Sequence, residues 1–228
     1  MALPSPLTAQ PRHGRPTIAA DKIQSWAYTE EFALEDSDAL AAAHARSAEF
    51  GLDPVSAGTG ATLRLIAALL DARAVAEVGT GTGVSGLWLL GGMNPEGVLT
   101  TIDAEMEHQR AAKEAFAAAG VKSTRTRTIS GRALEVLPRL ADAAYDLVVI
   151  DCDPDRAGDY CEQGLRMLRP GGAIAVVNAL WHDRVADPAR RDESTVAMRE
   201  LGRQFRADER LVTGLLPVGG GLLTAVRQ

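Results

Sequence analysis

The carboxy-terminal stretch sets the tightest limit on what this chain can fold into. Two short apolar segments, residues 211–216 and 222–226, are separated only by the five residues Pro-Val-Gly-Gly-Gly. A parallel pair needs a crossover of a dozen or more residues, so these two strands must run antiparallel. Upstream, short apolar segments alternate with helical ones. Strands are predicted at 74–78, 98–102, 124–129, 145–150 and 173–177, and helices at 84–90, 107–119, 159–168 and 190–207. Such alternation builds a largely parallel sheet with helices on both faces. The expected fold is therefore α/β and doubly wound: a mostly parallel, seven-stranded, Rossmann-like sheet with an antiparallel last strand. Three further helical stretches precede it, at 21–32, 35–50 and 58–70; the third puts Leu63, Ile66, Ala67 and Leu70 on one face.

Composition bounds the rest. The 228 residues, 46% of them hydrophobic, suffice for one core, and a single domain is expected over residues 21–228. Residues 1–20 lack the apolar stretch of a signal peptide and read as a flexible tail. A net charge of −6, with the arginines after residue 184 interleaved with carboxylates, argues against a nucleic-acid partner. Apolar runs such as 173–177 are too short to span a bilayer, so no membrane partner is expected. Cys152 and Cys161 cannot build a disulfide framework, which points to the cytoplasm.

The chemistry gathers at strand ends. The run Glu77-Val78-Gly79-Thr80-Gly81-Thr82-Gly83 joins the first strand to its helix, where glycines allow close backbone approach and the helix start presents free amides. The next strand ends in Asp103, placed to accept two ribose hydroxyls. Gly81-x-Gly83-x-x-Gly86 also satisfies the dinucleotide fingerprint. Two features favour S-adenosylmethionine over NAD. Glu77 places a carboxylate at the mouth of the loop, which suits a cationic sulfonium and amine rather than a pyrophosphate. The antiparallel close of the chain is not required by dinucleotide folds.

The stretch 75–90, the strand leading to Asp103, Gly131-Arg132-Ala133, residues 145–153, residues 168–172 and Leu216-Pro217-Val218-Gly219 occur in this order. Together they resemble the catechol and caffeoyl-CoA type of S-adenosylmethionine-dependent O-methyltransferase, the cation-dependent family with a class I methyltransferase fold, in its actinobacterial branch. The resemblance covers about residues 40–228. It implies donor contacts by Val55, Glu77, Gly79, Thr80, Ser85, Asp103 and Ala133, with Asp153 counted among them. It also implies Mg²⁺ held by Asp151 and Asn178, a hydroxylated small-molecule acceptor and a homodimer; the Ala-rich helices 21–50, with Trp26, Tyr28 and Phe32 as anchors, are expected to contribute to its contacts or to cover the acceptor site.

The catalytic half departs from the family pattern. Val177 stands where a second metal-binding Asp is expected, and Pro154 stands where a catalytic lysine is expected. The three lysines, Lys22, Lys113 and Lys122, lie elsewhere in the sequence. An incomplete metal site follows, with Asp153 the nearest extra carboxylate and Mg²⁺ binding left open. Asp151 is then expected to orient the acceptor, and His182, beside Trp181, is the substitute base. Methyl transfer to a hydroxyl is the leading expectation. A chain that binds the donor without catalysis, or an NAD-dependent oxidoreductase, are the alternatives.

Overall fold

A computed structural model describes residues 20–228. Residues 1–19, read from the sequence as a tail, lie outside the described residues. Three helices come first: α1 (Ala20–Ala33), α2 (Asp38–Glu49) and α3 (Ala57–Leu69). Ser37 and Ser56 cap α2 and α3, their hydroxyls accepting from the amides of Leu40 and Thr59. The alternating unit then runs β1 (Ala74–Val78), α4 (Val84–Gly92), β2 (Val98–Asp103), α5 (Met106–Ala118), β3 (Thr126–Ser130), α6 (Ala133–Val136), β4 (Tyr145–Ile150) and α7 (Ala157–Met167). It closes with β5 (Leu168–Val176), α8 (Glu193–Ala207), β6 (Leu211–Leu216) and β7 (Leu222–Arg227).

The seven strands lie in the order β3-β2-β1-β4-β5-β7-β6. β1 to β5 are mutually parallel, and β7 runs antiparallel to both β5 and β6. The fold is the doubly wound one read from the sequence. β4 is buried along its whole length and β1 from Val75 onward, because each is covered on both faces. One face packs a cluster including Leu63, Val75, Trp88, Leu89, Leu99, Phe116 and Val177 beneath α2 to α5. The other packs Val78, Ile102, Leu137, Val148, Ile150, Met167, Ile174 and Phe205 beneath α6 to α8.

Element ends differ from the sequence reading by a few residues, and at two of them the cause is plain. A strand was expected to begin at 173, after Pro170-Gly171-Gly172. Instead β5 opens at Leu168, opposite Tyr145, bulges through the Pro-Gly-Gly run, and resumes pairing at Ala173 opposite Leu147. α8 begins at Glu193 rather than 190, because the Asp192 carboxylate accepts from the Thr195 amide and hydroxyl and fixes the start there. The short helix α6 was not foreseen, since four residues carry no readable period.

Asp146 sets the register of the central strands. Its Oδ2 accepts from the amides of Arg73 (2.7 Å) and Ala74 (2.8 Å), and its Oδ1 from the Arg169 guanidinium. Burial works against the ionised form, but these donors outweigh it and hold the carboxyl below its usual range. One side chain thus ties the start of β4 to the start of β1 and to the β5 bulge.

Candidate active site

Because β1, β2 and β4 are parallel neighbours, their carboxyl ends emerge side by side. The Gly79 amide donates to the Ile102 carbonyl and the Asp151 amide to the Val78 carbonyl, each at 2.9 Å. These ends, with the loop between α2 and α3, wall a cavity of about 700 Å³. It sits where the strand order reverses, the usual place for a ligand in an open α/β sheet. Val55, Gly79, Thr80, Ser85, Asp103, Ala133, Asp151 and Asp153 all line it.

In one half of the cavity the glycine loop forms the floor. Gly79 has φ +94, and a Cβ there would collide with the Asp151 carbonyl oxygen, so only glycine lets β1 and β4 close at this point. The loop is tied down from α2: the Ser47 and Thr82 hydroxyls share a 2.6 Å hydrogen bond, and Thr82 Oγ1 donates to the Ala43 carbonyl. Asp103 enters from the end of β2. Its Oδ2 accepts from the Gly81 amide and its Oδ1 from the Glu105 amide, both at 2.9 Å, with His108 Nδ1 at 3.4 Å. Each of the two oxygens therefore has one main-chain amide and capacity for a further donor.

Glu77 is placed differently from the sequence reading. It does not stand at the mouth of the loop but beneath it, fully buried and outside the cavity lining. The physical reason is its parity on β1, which turns the side chain under the loop toward β2. Thr101 Oγ1 donates to Glu77 Oε2 at 2.6 Å, and Thr101 Oγ1 is itself 2.7 Å from Thr80 Oγ1. Glu77 Oε1 receives no hydrogen bond. Burial, opposed by the hydroxyls of Ser85 and Thr101 and reinforced by the Asp151 and Asp103 charges, pushes its pKa up to about 7. A buried carboxylate oxygen without a partner is costly alone and favours a cation above it. A donor carrying a sulfonium and an ammonium fits this floor; a pyrophosphate does not.

The other half is acidic. Asp151 follows β4, and its carboxyl makes no hydrogen bond to another described residue. Burial, with the Asp53 charge adding to it, raises its pKa to about 7. Asp53, Cys152, Asp153, Arg156 and Tyr160 complete the wall. Asp153 is exposed and accepts from the Asp155 amide at 3.2 Å, capping the 3-10 turn Pro154–Arg156. Pro154, where a base was sought, is the buried first residue of that turn. Burial also pushes the Cys152 thiol up, so it stays neutral.

The metal set implied by the sequence is not assembled. Val177 is buried in the apolar cluster under α2 to α5. Asn178, at φ +55, packs its Oδ1 against Gly220 in the β6–β7 turn and is not among the residues lining the cavity. Among the described residues no group of three or more His, Cys, Asp or Glu side chains gathers that could hold a metal ion. Mg²⁺ asks for six oxygens in near-octahedral order, and with Val177 and Asn178 outside the cavity the implied set is reduced to Asp151, which does not fit that demand.

His182 is likewise not brought to the cavity. Trp181, His182 and Asp183 all have positive φ, and this left-handed turn leaves His182 exposed, its ring 4.9 Å from that of Trp181. Arg199 of α8 holds the segment by donating to the carbonyls of Arg184, Val185, Asp187 and Arg190. Trp181 packs on the α6–α8 side. Sequence reasoning missed Asp53, His108, Arg156 and Tyr160 as cavity residues. Only His108, the first histidine after Asp103 and one turn into the next helix, carried a readable signal.

The O-methyltransferase family matches residues 25–228. The chain belongs to that family. A relative of this O-methyltransferase in Mycobacterium tuberculosis, itself assigned to the O-methyltransferases, is 54% identical over 202 residues, covering 89% of this chain and 90% of its own. Among solved structures, a Corynebacterium glutamicum protein superposes with a TM-score of 0.84 at 32% identity, covering 90% of this chain and 97% of that one. The O-methyltransferase TomG from Streptomyces achromogenes, solved with S-adenosylmethionine bound, gives a TM-score of 0.81 at 29% identity, with 90% and 96% covered. The family assignment gives no support to a nicotinamide-dependent activity.

Proposed function

We propose that this O-methyltransferase binds S-adenosylmethionine over the glycine loop and transfers its methyl group to a hydroxyl of a small molecule held at Asp151. The observation that carries the reading is the pairing of two halves in one cavity. Beneath the floor lies a buried carboxylate with an orphaned oxygen, and the opposite wall carries a second carboxyl, Asp151, that makes no hydrogen bond to another described residue. Asp103 would hold the ribose, and Val55, Gly79, Thr80, Ser85 and Ala133 the remainder of the donor. The acceptor oxygen attacks the methyl carbon, the carbon–sulfur bond breaks, and the hydroxyl proton passes to Asp151. S-adenosylhomocysteine leaves neutral at sulfur. A carboxyl whose pKa lies near 7 is well matched to accept that proton at neutral pH. No step is assigned to a metal or to His182.

The test is methyl transfer across a panel of phenols and catechols, with wild type and Asp151→Asn. The variant should lose about 10²- to 10⁴-fold in kcat while still binding donor. Full activity in the variant would remove Asp151 from the chemistry. No wild-type turnover on any hydroxyl would count against the acceptor class.

A homodimer and a cytoplasmic location belong to the same reading. Support for the dimer comes from exposed apolar side chains on and after α1, namely Ile23, Phe32 and Leu34, and from Leu65 and Leu69 on α3. For the location, support comes from two free thiols, and no described helix is long and apolar enough to cross a membrane. Cell fractionation that placed the chain in a membrane pellet would oppose it.

A further inference from the structure

The helix α1 is attached to the body of the protein in an unusual way. Among its described side chains only Glu30 and Ala33 are not exposed; Trp26 is 42% exposed, and Ile23, Tyr28 and Phe32 are between 65% and 79% exposed. A helix that buried an apolar stripe would show the reverse. What it does insert is one carboxylate. Glu30 Oε2 accepts from the Gly58 amide at 2.7 Å, and Oε1 accepts from the Ser56 hydroxyl at 3.0 Å and from the Gly219 amide at 3.3 Å.

Those three partners belong to two different elements. Ser56 and Gly58 form the start of α3, and Gly219 is the tip of the β6–β7 turn. Ser56 directly follows Leu52, Asp53, Pro54 and Val55, which form one lip of the cavity. The lip has no regular secondary structure of its own. Its position is set by what holds its two ends, and Glu30 holds the carboxyl end. Gly58 adds an independent sign of the fit: a Cβ there would run into the Glu30 carboxylate. The first turn of α3 thus leaves room for a side chain that arrives from another helix.

We infer that Glu30 is a positioning residue for donor binding: through Ser56, Gly58 and Gly219 it fixes the 52–55 lip over the cavity, so that affinity for S-adenosylmethionine depends on α1. The inference rests on the proposed function, because it concerns the same cavity. Glu30 touches neither donor nor acceptor itself. It removes conformational freedom that donor binding would otherwise have to remove.

The experiment is isothermal titration of S-adenosylmethionine and S-adenosylhomocysteine into wild type, Glu30→Ala, Glu30→Gln and Gly58→Ala, at a temperature well below melting. Glu30→Ala should weaken donor binding about tenfold. Glu30→Gln keeps one acceptor oxygen and should fall between that variant and wild type. Gly58→Ala separates positioning from mere stability. Alanine is no worse a helix former than glycine, so α3 itself is kept, while the new methyl forces the end of the Glu30 side chain to shift off the Gly58 amide. That variant should lose donor affinity like Glu30→Ala without an equal loss of melting temperature. A weakening below fivefold in both Glu30→Ala and Gly58→Ala would overturn the inference while leaving the proposed function intact. Wild type that bound neither ligand would overturn the proposed function, and this inference with it.

Discussion

Replacing Glu77 with glutamine tests the electrostatics of the cavity floor most directly. Glu77 is fully buried, with one oxygen bonded to Thr101 and the other bonded to nothing. Its pKa rises from 4.5 to about 7 on folding, burial being the largest cause. At about 1.4 kcal/mol per pH unit, that rise corresponds to about 3 kcal/mol of lost stability when the group must ionise in the fold. The sign follows from the raised value. The folded state holds the proton more tightly, so the contribution is present in full below about pH 4.5 and is lost as pH rises through 7. Glutamine keeps the shape and carries no charge. Without donor, Glu77→Gln should therefore match wild type near pH 5 and melt higher at pH 8, by roughly 6–12 °C for a chain of this length. Donor should reverse the order. A bound sulfonium and ammonium favour the ionised carboxylate, so S-adenosylmethionine should stabilise wild type more than the variant at pH 8. Titration near pH 6.5 in buffers of different ionisation enthalpy should show more proton release on binding to wild type than to the variant, in which only Asp151 still carries a raised pKa in the cavity. Melting curves of both proteins from pH 5 to 8 decide the matter. If their difference is flat across that range, Glu77 is not a strained carboxyl. If the donor stabilises both equally at pH 8, Glu77 does not read its charge.

Three further outcomes are expected. Asp103→Ala should weaken S-adenosylmethionine by roughly ten- to a hundredfold, the worth of a charge-assisted hydrogen bond, and an unchanged dissociation constant would release Asp103 from its ribose role. Wild type should melt at the same temperature in EDTA and in millimolar Mg²⁺, because Val177 is core and Asn178 faces Gly220; a gain of several degrees in Mg²⁺ would show that Asp151 recruits a working donor set. Light scattering at micromolar concentration should report twice the 24.1 kDa chain mass, and a single-chain mass would refute the dimer.

The sequence by itself determined the succession of the seven strands, the antiparallel close and the strand-end positions of Gly79, Asp103 and Asp151. These follow from local rules: apolar runs of strand length, a five-residue link too short for a crossover, and glycines where backbone must approach backbone. Side-chain parity on a central strand is nearly as local, but its consequence is not. Glu77 was read as an exposed charge because the sequence does not say which strands flank β1; only the β2 and β4 neighbours turn it into a buried carboxyl with an orphaned oxygen. The candidate base and metal ligand after β5 failed to reach the cavity for the same kind of reason. The family resemblance sets Asn178 beside Asp151, and His182 lies just beyond the same strand, yet left-handed backbone at 178 and 181–183, the Gly220 turn and the Arg199 clamp decide where they point. Asp53 and Glu30 were invisible because each acts across a long separation in the chain; Glu30 meets Gly219 across 189 residues. Local propensity places residues on elements, whereas a pocket is made where distant elements meet, and only tertiary packing fixes that.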